Sequence, residues 1–306
     1  MAHKVGPLSK KMPMNTFDKI LRFLTIITSV TTVYLSIDAL ITNELSLWVF
    51  VSTIIFTIVL FVSLYITYQK RNIEFFGLIG TLLGGLTLGR LFSTIHLETI
   101  NLSALSSLDP LMVAETGNGI QSIEYSSTLL FIILSIQLIR LPWLNKTAVQ
   151  SSSIGMPTSY EWGMTLIRIY IGMMFIAHFT GHILAGGAPF AVFTDYFRSV
   201  GLPFPQGFVI LAGVIELSLA VMLSFGFMTR LAAFSSSIYL FVSVGLGGHY
   251  AVGYVWVLPT GGWEFPAFWI FVSGIFILSG GGQSSVDRWL KNKYQGNTNK
   301  FKFLIS

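Results

Sequence analysis

The chain has 306 residues, of which 53% are apolar and only 10% charged, with a mean hydropathy of +0.73. A water-soluble globule carries roughly 25% charged residues, so the composition excludes a soluble enzyme, a disordered tail and a secreted disulfide scaffold. With no cysteine there is no thiolate metal site or dithiol couple in the chain itself, and the net charge of +5 is not gathered in a solvated basic domain of the kind that binds nucleic acid.

About 20 apolar residues are needed for a helix to cross the hydrocarbon core. Eight stretches meet that requirement, at roughly 18–41, 48–68, 74–96, 124–144, 162–185, 207–227, 231–250 and 264–281. A membrane β-barrel would show strict alternation over about 10 residues, and the run from Trp48 to Phe61 has none. The expected fold is therefore all-α: a polytopic membrane protein with eight transmembrane helices in two four-helix bundles. The first span has a basic flank but is longer than a signal-peptide core and lacks a small-x-small cleavage site, so it reads as an uncleaved helix.

An even number of spans puts both termini on one side. Every Lys and Arg except Arg90, Arg168 and Arg198 falls on that side, while Glu44, Glu98, Asp109, Glu115, Glu124 and Asp195 lie in or beside the opposite loops. By the positive-inside rule both termini are expected in the cytoplasm. The polar stretch 145–160 has a linker's composition and divides the chain into an N-terminal four-span domain, 1–150, and a second four-span domain, 151–306. The outer loop 97–123 is long, acidic and free of Lys and Arg, a candidate lid or docking surface for a partner. Gly77, Gly80, Gly84, Gly85 and Gly89 in the third span and Gly172 in the fifth allow close helix approach.

Ionisable groups inside spans carry most of the functional information, because each must face a partner or a watery cavity. Arg168 in the fifth span and Glu216 in the sixth differ in depth by roughly 7 Å when counted from the span edges, which predicts a buried Arg168–Glu216 pair. His178 and His182 are four apart and are expected on one helical face. His249 and Glu264 fall at a similar outer depth, beside the aromatic residues Tyr250, Trp263 and Trp269. The three histidines fit satisfied structural groups, contacts to a quinone or substrate, or ligands to a metal or haem. The set His178, His182, Glu216, His249 and Glu264 is the candidate catalytic cluster, with Arg168, Trp263 and Tyr250 as candidate substrate contacts. No phosphate-binding glycine loop, nucleophile elbow or dinucleotide fingerprint occurs. A small-solute carrier is disfavoured because no span is broken by Gly or Pro at mid-membrane.

Residues 160–290 contain, in order, Arg168-Ile-Tyr-Ile-Gly172, Phe197-Arg-Ser-Val-Gly201-Leu-Pro203, Glu216, Gly226-Phe-Met-Thr-Arg230, His249, Gly261-Gly-Trp263-Glu264 and Gly280-Gly-Gly282-Gln-Ser-Ser285-Val-Asp287. This pattern resembles the DoxX superfamily of four-helix membrane proteins, and most closely its DoxD branch, the membrane subunit of thiosulfate:quinone oxidoreductase. Where many DoxX proteins have a Gly-x-x-Lys element, this chain has His178-Phe-Thr-Gly181-His182. The resemblance implies a prokaryotic plasma-membrane protein in quinone-linked redox work, with thiosulfate as electron donor and a site near the outer leaflet. The alternative is a non-catalytic accessory subunit of a larger respiratory or oxidase complex that binds lipid or quinone. Membrane lipids and a partner subunit are the expected partners, quinone the expected cofactor, with a metal or haem at the histidines as a further option.

Overall fold

A computed structural model describes residues 15–69, 73–94, 119–144, 158–184, 186–255 and 261–293. Most of the 97–123 loop and of the 145–160 linker lies outside the described residues. Among those described, all regular structure is helical: α1 (Thr16–Thr42), α2 (Leu47–Gln69), α3 (Glu74–Thr94), α4 (Gln121–Leu144), α5 (Ser159–Phe179), α6 (Gly187–Ser199), α7 (Pro205–Phe225), α8 (Thr229–Leu246), α9 (His249–Val252), α10 (Glu264–Ser279) and α11 (Val286–Lys293). A π-helical turn, Thr180–Leu184, continues α5.

Seven of these, α1 to α5, α7 and α8, are long and apolar enough to cross a membrane. The eighth expected span is shorter than anticipated. Helix α10 has 16 residues, roughly 24 Å at 1.5 Å per residue, against a hydrocarbon core of about 30 Å. It runs back along α8, and the turn after it brings Gly281 against Thr229 at the start of α8.

Helices α1 to α4 form one four-helix bundle and α5, α7, α8 and α10 a second. Small residues set the closest approaches. A Cβ on Gly84 would lie 3.1 Å from the Leu60 backbone of α2, and one on Gly172 would lie 2.7 Å from the backbone nitrogen of Ser224 on α7. The core does not stop at the linker, since one apolar cluster runs from Val33, Leu60 and Leu78 through Trp162 and Phe175 to Leu219 and Phe276. Helix α3 is the shared wall: 78% of its span is buried inside the protein, against 28% for α2, which faces outward.

The basic ends of the two bundles coincide. At that end Arg22 pairs with Glu74 at 2.9 Å and Arg140 with Asp18 at 3.0 Å, Phe75 packs on Trp162 at 5.6 Å and Phe76 stacks on Phe225 at 6.4 Å. The chain thus returns most of its in-span charge to one rim of the molecule, where the guanidiniums reach polar partners instead of lipid.

Candidate functional site

Register between α5 and α7 decides which ionisable groups meet. The two helices are antiparallel, with Gly172 set against Ser224 and Gly213 against Ile183. Each residue gained along α5 is one lost along α7, so Glu216 lies level with Thr180, and Arg168 with Met228. The expected Arg168–Glu216 pair is therefore not formed. Counting depth from span edges failed because α5 begins farther out on the basic side than α7 ends. Arg168 also leans toward the N-terminus of its helix, as helical side chains do.

Arg168 is fully buried and donates from Nη2 to the Ser284 carbonyl at 2.9 Å. Its Nη1 occupies the space a Cβ on Gly226 would need, which explains a glycine there, at φ 67°. Asp287 supplies the nearby countercharge. That carboxylate also accepts from the Met228 and Thr229 backbone N–H groups at 2.7 and 2.9 Å, and from Thr229 Oγ1 at 2.8 Å. Asp287 thereby caps α8 from a distant part of the chain.

Glu216, near the middle of α7 and 2% exposed, instead joins two other groups. Its Oε2 lies 2.6 Å from His182 Nδ1, and its Oε1 accepts from the Tyr239 hydroxyl of α8 at 2.5 Å. The result is a buried chain, Tyr239–Glu216–His182, drawn from three elements. The phenyl ring of Phe193 on α6 meets the His182 ring edge to face at 4.3 Å and roofs the chain.

The π turn makes this arrangement. An extra residue in the turn rotates the side chains beyond it about the helix axis, and His178 and His182 meet different helices. His178 packs on Trp269 of α10 at 5.8 Å, while His182 turns to Glu216. Side chains add to the backbone bonds at the start of the turn: Thr180 Oγ1 donates to Ile176 O at 2.6 Å, and Arg90 of α3 donates from Nε to Ala177 O at 3.4 Å. The N-terminal bundle thus reaches into the site through a residue that sequence reading left without a role.

The remaining expected residues form a separate group at the far end. His249 Nδ1 donates to the Gly261 carbonyl at 2.9 Å, Tyr250 donates to the Phe241 carbonyl at 3.1 Å, and Trp263 packs edge to face on Tyr254 at 4.6 Å. Glu264 opens α10 with its backbone N–H on the Tyr254 carbonyl at 2.9 Å and its side chain exposed. His178, His182 and His249 are accordingly not brought together as a metal set. Among the described residues, no three His, Cys, Asp or Glu side chains gather closely enough to hold a metal ion. Tyr239 and the whole of α6 were missed from the sequence. A tyrosine in mid-span and the Phe190, Phe193, Phe197 spacing were the available signals.

Residues 163–249, from the first turns of α5 through the π turn, α6, α7 and α8 to His249, match the family model for DoxX. This segment is a DoxX domain. The buried chain of Tyr239, Glu216 and His182 lies wholly within the DoxX domain, whereas Trp263, Glu264 and the Arg168 partners Ser284 and Asp287 lie beyond the matched residues. No curated protein and no solved structure matches the chain.

Proposed function

We propose that the chain is the membrane-embedded subunit of a quinone-linked oxidoreductase in a prokaryotic plasma membrane, with both termini cytoplasmic and thiosulfate as the electron donor. The observation that supports it is the buried Tyr239–Glu216–His182 chain. Three hydrogen-bonding ionisable groups inside a membrane bundle are costly to keep there, and such groups usually line a substrate or proton path. Reducing a quinone to a quinol takes two electrons and two protons, while joining two thiosulfates as tetrathionate releases two electrons and no proton. The protein must then deliver the protons.

The residues present suit that task. With Nδ1 held on Glu216, His182 meets an incoming oxygen through Nε2. It can donate a proton there while Glu216 keeps the ring oriented. Tyr239 holds the other carboxylate oxygen and fixes Glu216 in turn. Trp269, Phe175 and Phe265 offer an aromatic wall beside His178, with Phe175 and Trp269 at 4.6 Å. The mid-span positions of Glu216 on α7 and Tyr239 on α8 support a site deeper than the outer leaflet.

The test is thiosulfate-dependent reduction of a soluble quinone analogue by the full chain in lipid nanodiscs, alone and with co-purifying proteins. Turnover is expected, and His182→Ala is expected to lower it by about 10²- to 10⁴-fold, the usual contribution of a positioned proton donor. No turnover in either preparation would sink the proposal and leave the accessory-subunit reading.

A further inference from the structure

The end of the second bundle carries an open cavity of about 220 Å³ between the start of α5, the end of α10 and α11. Two carboxylates and two cations line it, and the carboxylates are already occupied. Both Asp287 oxygens are turned inward to Met228 and Thr229. Glu161 accepts from the Thr158 backbone at 2.7 Å and from Gln283, and its charge also interacts with that of Arg288.

Lys291 has charge to offer, and Arg288 keeps a donor beyond its interaction with Glu161. Arg288 Nε is buried without a hydrogen-bond partner, and Lys291 is exposed at the cavity rim. Behind the wall stands a third cation. Arg168 Nη1 and Ser285 Cβ crowd the same point beside Gly226, Ser285 lines the cavity, and Arg168 Nε and Nη1 are both buried without partners. Asp287 balances that guanidinium, so the attraction for an anion falls to Arg288 and Lys291 at the cavity itself.

The surroundings say how that anion arrives. Trp289, next to Arg288 on the short helix α11, is 48% exposed with Lys293 Nζ over its ring at 4.8 Å. Leu278, beside cavity residue Ser279, is 81% exposed. An indole beside basic groups is the usual anchor at a lipid headgroup boundary, and an exposed leucine suits an acyl chain. We propose that this cavity binds a phosphate group, carried by the headgroup of an anionic phospholipid, through Arg288 and Lys291. Arg288 can fork onto two phosphate oxygens and Lys291 supply a point charge.

The experiment uses the full chain in detergent and tracks binding of phosphatidylglycerol, phosphatidylcholine and inorganic phosphate by native mass spectrometry and by shift of the melting temperature. At about 5-fold per basic residue, Arg288→Gln/Lys291→Gln is expected to weaken phosphatidylglycerol binding about 30-fold, with phosphatidylcholine weak throughout. The control Lys19→Gln/Arg230→Gln removes the same charge outside the cavity and is expected to cost much less. Inorganic phosphate bound as tightly as the lipid, with the same dependence on Arg288 and Lys291, would keep the phosphate chemistry and overturn the lipid source. Equal losses in the two double variants, or none in either, would overturn the cavity itself.

Discussion

Replacing Glu216 by Ala takes away the acceptor shared by His182 and Tyr239. A hydrogen bond to a charged group contributes about 1.5–3 kcal/mol, and Glu216 accepts two. Losing both together costs about 3–6 kcal/mol. Glu216→Gln keeps one acceptor oxygen and turns an amide donor toward the other partner, so it should cost about half as much. The decisive measurement is a double-mutant cycle with His182→Ala, by reversible unfolding of the purified chain in mixed micelles monitored by circular dichroism. Direct contact predicts a coupling of about 1–3 kcal/mol. The same cycle with Arg168→Met in place of His182→Ala should be additive within about 0.5 kcal/mol, because the α5–α7 register holds Arg168 away from Glu216. Additivity in the His182 cycle, or strong coupling in the Arg168 cycle, would refute the register and the site built on it.

Deleting Gly181 should close the π turn into regular helix; the helical signal is expected to persist while the His182–Glu216 coupling drops below about 0.5 kcal/mol, as the same cycle would read. Gly226→Ala places a Cβ on the Arg168 guanidinium and a side chain on a left-handed backbone. It is expected to lower stability by at least about 1–2 kcal/mol from the backbone alone, seen as a lower melting temperature. Gly172→Val drives two methyl groups toward the Ser224 backbone, and overpacking of about 1–3 kcal/mol or more should appear in the same melt. A neutral result at Gly172 would mean that α5 and α7 are not in close contact.

The spans were legible because about 20 apolar residues in a row have few other uses. The basic rim was legible because charge clusters at span ends. Helix α6 was not. Its 13 residues include Pro189, Asp195 and Arg198, and they read as an outer loop unless Phe190, Phe193 and Phe197 are seen as one buried stripe, where they pack around Val209. The Glu216–His182 contact was hidden by two things that hydropathy does not report. One is helix register, which the close contacts at Gly172 and Gly213 fix. The other is a one-residue insertion in the turn at Thr180–Leu184, whose composition looks helical. Both His178 and His182 were singled out, but their spacing was given the geometry of an unbroken α-helix.

The apolar seam between the bundles bears on how a reactant gets in. An alternating-access carrier works by rocking one half against the other about a central site, and the surface that would have to part here is closed by Phe75 on Trp162, Phe76 on Phe225 and the Leu60 to Phe175 core. His182 keeps 11% of its side chain exposed, with Phe193 against its ring, and Tyr239 is only partly buried. On the proposed quinone-linked reading, a lipid-soluble reactant would reach these side chains sideways from the bilayer, and the membrane would serve as the corridor as well as the solvent.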